Sequence, residues 1–252
     1  STFVLSADRV WWMPSDGALH GAAIDRLMYW NLVALSALFL LAHVFLFAAM
    51  IRRKRNSSEP TGSSLKRELI FLAGLTLLYA CMAVSAQRLW AAIRYQGAAP
   101  QALQVEVTGE QFQWYFRYPG TDGVFGLTRP ELISAPAGNP LGLDHNDTHG
   151  ADDVVSSVLV LPEGREVDLG IRSIDVIHGF FIPGMRLKQN AVPGMEMHIH
   201  FTPSVPGDYP ILCSQICGSG HARMQAHLQV ESINDYEVWL KNHEPRHDGA
   251  GR

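Results

Sequence analysis

The sequence CSQICGSGHARM, at residues 213–224, decides how the rest of the chain is interpreted. It contains two thiols, an imidazole and a thioether, at Cys213, Cys217, His221 and Met224. Thiolate and thioether are soft ligands, and together with imidazole they select copper, zinc or an iron–sulfur cluster over magnesium or calcium. The methionine favours copper, because structural zinc sites complete their tetrahedron with Cys and His.

The second cysteine distinguishes two kinds of copper site. A mononuclear blue-copper site needs one Cys, two His and a Met. A second Cys four residues before the same His is instead what a thiolate-bridged pair of copper ions requires. A further imidazole has to come from elsewhere in the chain, and His178, which ends the segment SIDVIH, is the best candidate.

Three other uses of this segment agree less well with its spacing. A disulfide between Cys213 and Cys217 is a common arrangement outside the cytoplasm, but it gives no reason for His221 and Met224 to follow. A haem-attachment site needs Cys-x-x-Cys-His, whereas three residues separate the cysteines here. Structural zinc is the closest competitor and ranks below copper.

Residues 173–224 resemble the CuA-binding region of cytochrome c oxidase subunit II. The matching segments are SIDVIH (173–178), Pro183, RLK (186–188), AVPG (191–194), GDY (207–209) and the cysteine segment. Upstream, VTGEQFQW at 107–114 resembles the aromatic segment near the electron-entry surface of that family. The resemblance extends from the apolar N-terminal segments to residue 243.

The resemblance implies a set of copper ligands. In this family two bridging thiolates hold a pair of copper ions, each with one terminal imidazole, while a methionine and a backbone carbonyl are weak axial ligands. Cys213 and Cys217 match the bridging thiolates, and His178 and His221 match the terminal imidazoles. Met224 matches the axial methionine, and Gln215 matches the residue that supplies the backbone carbonyl.

The same resemblance implies an electron-transfer subunit of a haem–copper oxidase, which is an oxidoreductase and translocase. Cytochrome c would reduce the copper pair, and the electron would pass to haem in the catalytic subunit I, where oxygen is reduced and protons are pumped. Subunit III and membrane lipid are further expected partners. Neither nucleic acid nor a haem in this chain is expected.

The resemblance also assigns residues to electron and proton entry. Phe112 or Trp114 lies at the expected point of electron entry, and Glu68 lies where the family has a proton-entry glutamate. Acidic residues such as Asp175, together with Glu110 and Asp208, could steer a basic cytochrome, although the formal net charge of the chain is only −4.

Three positions depart from the family pattern. Gln215 and Asn190 replace the usual glutamate and aspartate. A hard divalent cation prefers carboxylate oxygens, so a magnesium ion at the subunit boundary is not expected, whereas copper needs only the backbone carbonyl of Gln215. Phe112 stands where the family usually has tryptophan, and Trp114 lies two positions further on.

Two other functions stay open. Some haem–copper nitric oxide reductases carry a similar CuA subunit, and nothing in this sequence indicates which gas the partner reduces. A membrane-anchored copper carrier is a third hypothesis. Five side-chain ligands and a carbonyl indicate retention of copper rather than its delivery, which disfavours the carrier. The sequence carries no fused cytochrome domain, so the electron donor is expected to be a separate protein.

Two uncharged segments are long enough to cross a bilayer. Residues 27–51 carry no charge over 25 positions, and residues 69–87 form a second apolar run. The loop 52–67 between them is rich in Arg and Lys, so the positive-inside rule places it in the cytoplasm and both termini on the periplasmic side of a bacterial-type plasma membrane. A first residue other than Met is expected where a signal peptide has been removed.

Beyond residue 100, short alternating segments separated by Gly and Pro predict strands. They are residues 105–108, 154–161, 166–171, 196–201 and 226–231. This spacing predicts a small antiparallel sandwich or barrel, and the resemblance to subunit II implies its cupredoxin-like form. The predicted fold is thus a membrane-anchored all-β protein, with a two-helix transmembrane hairpin followed by a cupredoxin-like Greek-key β-barrel or sandwich. In such a fold His178 and the cysteine segment would lie on two loops at the same pole.

The predicted domains are an outer N-terminal segment (1–26), the hairpin (27–95), the copper domain (96–243) and a tail (244–252). Residues 119–153 are rich in Gly, Pro, Asp and Asn and are predicted to form a long solvated loop, because the spacing of their His and Asp residues gives no common face. Asn234 is predicted to cap a terminal helix that ends at Leu240.

Overall fold

The computed structural model describes residues 13–55, 64–144 and 146–244. The chain forms two compact units. One is Ala22–Gln96. The other consists of the residues up to Gly21 together with those from Gly97 onward. The tail 245–252 and residues 1–12, nearly half of the predicted outer segment, lie outside the described residues.

The first unit consists of two long apolar helices, α1 (Gly21–Arg55) and α2 (Leu65–Arg94). Each is long and apolar enough to cross a membrane, and neither buries its most apolar stretch inside the protein. Both extend past the uncharged segments into charged residues, so Arg52 and Lys66 are helical. The centre of the predicted loop 52–67, residues 56–63, lies outside the described residues.

The second unit is a β-sandwich of two five-stranded sheets, with ten strands in the described residues. In chain order the strands are β1 (Leu103–Glu110), β2 (Gln113–Tyr118), β3 (Val154–Ser156), β4 (Val158–Pro162), β5 (Val167–Ser173), β6 (His178–Ile182), β7 (Leu187–Ala191), β8 (Met197–Phe201), β9 (Gly207–Cys213) and β10 (Gln225–Glu231). One sheet has the order β3-β2-β1-β5-β8 and the other β4-β10-β9-β6-β7. Two apolar helices followed by a β-sandwich confirm the predicted fold class.

Alternation of side chains along the strands builds the core between the sheets. Val105 and Val107 of β1, Leu169 of β5 and Phe180 of β6 are all nearly inaccessible to solvent. Successive residues of a strand point to opposite faces of the sheet, so every second residue faces the opposing sheet. Complete burial of one such side chain contributes about 1.5–3 kcal/mol. The sandwich is therefore a rigid frame for the loops at its ends.

The residues immediately before α1 belong to this sandwich. Gly17 N donates to Gly184 O at 2.8 Å, and Leu19 N donates to Thr202 O at 3.0 Å. Ala18 between them is 2% exposed and lies in the hydrophobic core. Part of the segment predicted to be separate from the copper domain thus completes its packing.

Several predicted local features differ from the structure. The single strand predicted at 154–161 is two strands in different sheets, because the chain changes sheets at Ser157. His178 begins strand β6 rather than lying on a loop. The terminal helix α3 (Ile233–His243) is capped by Ser232, whose hydroxyl accepts a hydrogen bond from Asp235 N, and not by Asn234.

Candidate metal centre

Two neighbouring strands bring the predicted metal ligands together. His178 is the first residue of β6 and Cys213 is the last residue of β9, and the two strands pair with Phe180 opposite Cys213. Just after β9, Ser214 N donates to Gly179 O at 2.8 Å. The register of one sheet therefore places side by side two residues that are far apart in the sequence.

The loop between β9 and β10, residues 214–224, carries the remaining predicted ligands and is named the metal loop. Its two ends are joined, because Cys213 N donates to Met224 O at 3.2 Å. A 3-10 turn over His221–Arg223 precedes Met224, which is the last residue before β10. The loop thus folds back on itself and directs its side chains to one place.

The donor atoms of the metal loop lie close to one another. Cys217 Sγ is 3.7 Å from Cys213 Sγ. It is also 3.7 Å from His221 Nδ1 and 3.8 Å from Met224 Sδ. Two ligands held about 2.3 Å from one ion at a tetrahedral angle lie about 3.8 Å apart, so these separations suit a shared metal centre. Both cysteines are free thiols and not a disulfide.

His178 completes the cluster. The ligand atoms of His178, Cys213 and Cys217 all lie within 4.8 Å of one another. The ring is fully buried, and its Nε2 lies 2.8 Å from Asp175 Oδ1. Nδ1 is buried and has no hydrogen-bond partner among the described residues. Donation from Nε2–H to the carboxylate leaves a lone pair on Nδ1, which is the state that a metal ligand requires.

Asp175 holds the imidazole in this orientation. Its carboxylate also accepts hydrogen bonds from Gln111 N at 2.7 Å and from Val176 N at 2.6 Å. Burial opposes its ionisation, but the hydrogen bonds from His178, Val176 and Gln111 outweigh that effect and lower the pKa of Asp175. The sequence predicts a steering charge at Asp175, whereas in the structure its carboxylate contacts the His178 ring. Its spacing of three residues from His178 was the signal that could have indicated this contact.

The thiol of Cys217 lies in a dry part of the site. Burial raises its pKa to about 11, and the adjacent Cys213 and then Asp175 add to the rise. A metal binds the thiolate form, so binding must displace this proton. Met224 is 1% exposed beside it. The site therefore shields a bound ion from water on the side of these two residues.

Phe112, in the turn between β1 and β2, lies against the metal loop. A Cβ added to Gly220 would lie 2.3 Å from Phe112 Cδ2, so only glycine fits beneath the ring. Gly218 has a φ of +138°, a conformation that L side chains rarely adopt. Phe112 is 36% exposed, whereas Trp114 is fully buried and makes an edge contact with the His178 ring at a centroid distance of 5.7 Å.

The other predicted residues lie as follows. The Gln215 carbonyl is 3.1 Å from Cys213 Sγ, so it faces the thiols, while the Gln215 side chain is exposed. Asn190 lies opposite Gly179 in the β6–β7 pair, and its Oδ1 is buried without a partner among the described residues. Glu68 lies in the first turn of α2, in the helical unit.

The donor set fits copper. Two thiols, two imidazoles and a thioether converge, and thioether together with thiolate is a ligand combination that copper uses. The unpartnered Nδ1 of the buried His178 ring is the observation that most directly indicates a missing ligand bond, because buried polar atoms are almost always satisfied.

The sequence matches the model of a known protein family. The family model described as cytochrome c oxidase subunit II, periplasmic domain, matches residues 103–232, just over half of the chain. The chain belongs to the cytochrome c oxidase subunit II family. Membership of the subunit II family implies copper binding, in agreement with the donor set. The β-sandwich is accordingly the cupredoxin-like periplasmic domain of subunit II.

Individual proteins with similar sequences are also cytochrome c oxidase subunits 2. The alternative cytochrome c oxidase subunit 2 of Bradyrhizobium diazoefficiens is 42% identical over 142 residues, which cover 56% of this chain and 50% of that relative. A probable cytochrome c oxidase subunit 2 of Rickettsia bellii is 26% identical over 86% of this chain and 76% of its own length. The chain thus spans half the length of the first of these subunit II relatives.

A solved structure is also similar. The periplasmic domain of subunit II of cytochrome oxidase (CoxB) of Bradyrhizobium japonicum matches with 25% sequence identity and a TM-score of 0.43. The match covers 58% of this chain and 96% of that structure.

Proposed function

We propose that this subunit II chain is the electron-transfer subunit of a haem–copper terminal oxidase and that it holds a binuclear CuA centre. The observation that carries the proposal is the convergence of His178, Cys213 and Cys217 within 4.8 Å, with the lone pair of His178 Nδ1 buried and unpartnered. The ligands are His178, Cys213, Cys217, His221, Met224 and the backbone carbonyl of Gln215.

Each side chain has a distinct task at this centre. Cys213 and Cys217 would hold the copper pair through their thiolates, since their sulfur atoms are 3.7 Å apart and both cysteines are free of disulfides. Asp175 orients His178, and the paired strands β6 and β9 hold the ligand positions before metal binds. When bound, the copper pair supplies a one-electron redox site whose charge is shared by both ions. A rigid frame keeps the ligand geometry nearly unchanged during electron transfer.

Electrons enter at Phe112. Its ring is 36% exposed and lies against Gly220 of the metal loop, whereas Trp114 is fully buried and reaches no donor surface. The donor is cytochrome c or another periplasmic electron carrier. The acceptor is haem in the catalytic subunit I, where oxygen is reduced and protons are pumped. Subunit III is a further member of the complex.

The helices α1 and α2 anchor the domain in a bacterial-type plasma membrane. Their apolar stretches are exposed along their length, which suits contact with lipid and partner helices. The basic residues at the end of α1 and the start of α2 support, by the positive-inside rule, a cytoplasmic position for that end and a periplasmic position for the copper domain. Glu68 then lies at the cytoplasmic end of α2, where proton entry would occur.

The first test is metal content and electron paramagnetic resonance on the full chain in detergent, loaded with copper. We expect two copper ions per chain and one unpaired electron shared equally between them. One copper with an ordinary hyperfine pattern, or preferential retention of zinc, would contradict the proposal. Rapid loss of copper to an acceptor protein would support the copper carrier instead.

The second test identifies the terminal reaction. The native complex is purified, and cytochrome c oxidation is followed with oxygen or with nitric oxide as the acceptor. We expect turnover with oxygen. Turnover with nitric oxide alone would assign the chain to a nitric oxide reductase and would leave the copper centre itself unaffected.

A further inference from the structure

The turn between β1 and β2 contacts both segments that carry metal ligands. Gln111 lies in this turn, immediately after β1. Its backbone N donates to Asp175 Oδ2 at 2.7 Å, and its side-chain Nε2 donates to the backbone carbonyl of Cys217 at 2.5 Å. One residue thus hydrogen-bonds to the segment before β6 and to the metal loop.

These two contacts extend to the ligands themselves. Asp175 uses its other oxygen, Oδ1, to accept from His178 Nε2 at 2.8 Å. The path from the His178 imidazole through Asp175 and Gln111 therefore ends at the peptide of Cys217. Because His178 and Cys217 belong to different segments, this path crosses the site from one ligand to the other.

The fit between the turn and the metal loop is tight. A Cβ added to Gly218 would lie 2.8 Å from Gln111 Nε2 and 3.1 Å from the Phe112 ring. The metal loop therefore contacts the turn over two residues and leaves little room for a different position of the Cys217 carbonyl. Gln113, two residues further on, is exposed and lies opposite Glu110 in the β1–β2 pair.

We propose that Gln111 is a positioning residue for the metal centre, which sets the separation of His178 from Cys217 and tunes the electron affinity of the site. The inference rests on the proposed copper pair. Groups that hydrogen-bond to metal ligands typically change metal affinity by 10–100-fold when they are removed. Gln111 is exposed, so its effect lies at the lower end of that range.

The direction of the electronic effect follows from the dipoles. The two N–H groups of Gln111 direct partial positive charge at acceptors joined to ligands, which disfavours the more positively charged oxidised state. Loss of the side-chain N–H therefore lowers the reduction potential. It also lets the Cys217 peptide move relative to His178, so the two copper positions become unequal.

The test uses the full chain in detergent and compares Gln111→Met, Gln111→Glu and the control Gln113→Met. Met removes the donor without adding charge, and Glu keeps the shape of the side chain while its carboxylate cannot donate. The readouts are copper per chain, the hyperfine pattern, the reduction potential and the rate of metal loss to a chelator. The unfolding temperature of the metal-free protein shows whether each variant is folded.

We expect both Gln111 variants to bind copper, to lose it roughly tenfold faster than the unmodified chain, and to show an unequal hyperfine pattern and a lower potential. The Gln113→Met variant should match the unmodified chain. The inference is overturned if Gln111→Met matches Gln113→Met in rate, spectrum and potential, or if Gln111→Glu alone differs, since charge would then explain the effect.

The unmodified chain separates this inference from the proposed function. If it retains one copper or a zinc ion, the copper pair is wrong. The rate of metal loss is then compared for that ion between the Gln111 and Gln113 variants. A tenfold difference supports the positioning role, and equal rates reject it.

Discussion

Two irregular segments of the sandwich contain residue types that can bind metals, and their side chains make different contacts. In the metal loop, residues 214–224, Cys217 Sγ lies within 4 Å of His221 Nδ1, of Met224 Sδ and of the preceding Cys213 Sγ. The His178 Nδ1 atom nearby has no partner among the described residues. The segment 119–153 between β2 and β3 is instead rich in carboxylates, and most of them contact protein groups. Those with protein hydrogen-bond partners are Asp122, Asp144, Asp147, Asp152 and Asp153. The clustering of several donors around one sulfur atom, rather than the residue types alone, therefore distinguishes the candidate metal site.

The pairs of the 119–153 segment show this difference directly. Arg117, in β2, forms an ion pair with Asp153, and both side chains are almost fully buried. Arg129 Nε donates to Asp144 Oδ2 at 2.7 Å, and His149 Nδ1 lies 2.8 Å from Asp122 Oδ2. The prediction that the whole segment is solvated is wrong for Asp153, since its ion pair holds the end of the segment in the domain.

The largest expected effect is that of Cys217→Ser. Serine keeps the size of the side chain but is a poor bridging ligand, so the variant should lose the shared-electron signal completely and retain at most one copper. Metal content and electron paramagnetic resonance measure this change. Cys81→Ser is the matched control, because Cys81 is an exposed free thiol in α2. An intact two-copper signal in Cys217→Ser would show that the ligand assignment is wrong.

The next effect concerns the 119–153 segment. Asp153→Asn keeps the shape of the side chain and leaves the buried Arg117 without its closest charge partner, which should lower the free energy of unfolding by about 3 kcal/mol. Copper binding should be unchanged. Chemical denaturation and metal content are the measurements. Asp122→Asn, in an exposed pair with His149, is the control and should leave stability unchanged. Loss of copper in Asp153→Asn would contradict the conclusion that segment 119–153 does not contribute to metal binding.

A smaller effect is expected for Asp175→Asn. The amide can still accept a hydrogen bond from His178 Nε2, but it lacks the charge that strengthens this bond. We expect copper to be bound and to be lost to a chelator roughly tenfold faster. Asp168→Asn is a matched control, because Asp168 Oδ2 lies 3.0 Å from His198 Nδ1 in an Asp–His pair on β5 and β8. Equal rates in both variants would show that Asp175 does not support the site.

The smallest effect is expected for Gln215→Ala. The Gln215 carbonyl faces Cys213 Sγ, and the side chain is exposed. The copper content and the hyperfine pattern should therefore equal those of the unmodified chain. A loss of copper in this variant would show that the amide side chain, and not the carbonyl alone, contributes to the centre.

Much of the candidate site could be predicted from local spacing. Four of the predicted ligands lie within twelve residues of sequence, namely Cys213, Cys217, His221 and Met224. Because the loop is short, their side chains must lie close together in space. The two apolar helices could also be predicted from the sequence, because length and absence of charge are properties of the sequence alone. His178 was only the best candidate for the further imidazole, since nothing in local spacing connects it with the cysteines.

Other features depend on contacts between distant segments. The backbone of Gln111 contacts Asp175, which lies 64 residues away in the sequence, and no local pattern indicated a role for Gln111. The sheet change at Ser157 and the packing of Ala18 in the core were missed for the same reason. Alternation shows which residues of a strand face inward, but it does not show which sheet the strand joins.

The sequence by itself determined the ligand types, the helices and the β character of this chain, because composition and short-range periodicity carry that information. Only the tertiary structure decided which donors meet. The register of β6 against β9 brings His178 to the cysteines, and hydrogen bonds from one turn connect both ligand segments. Such contacts arise when the whole core packs, since their free energy depends on groups that are remote in the chain.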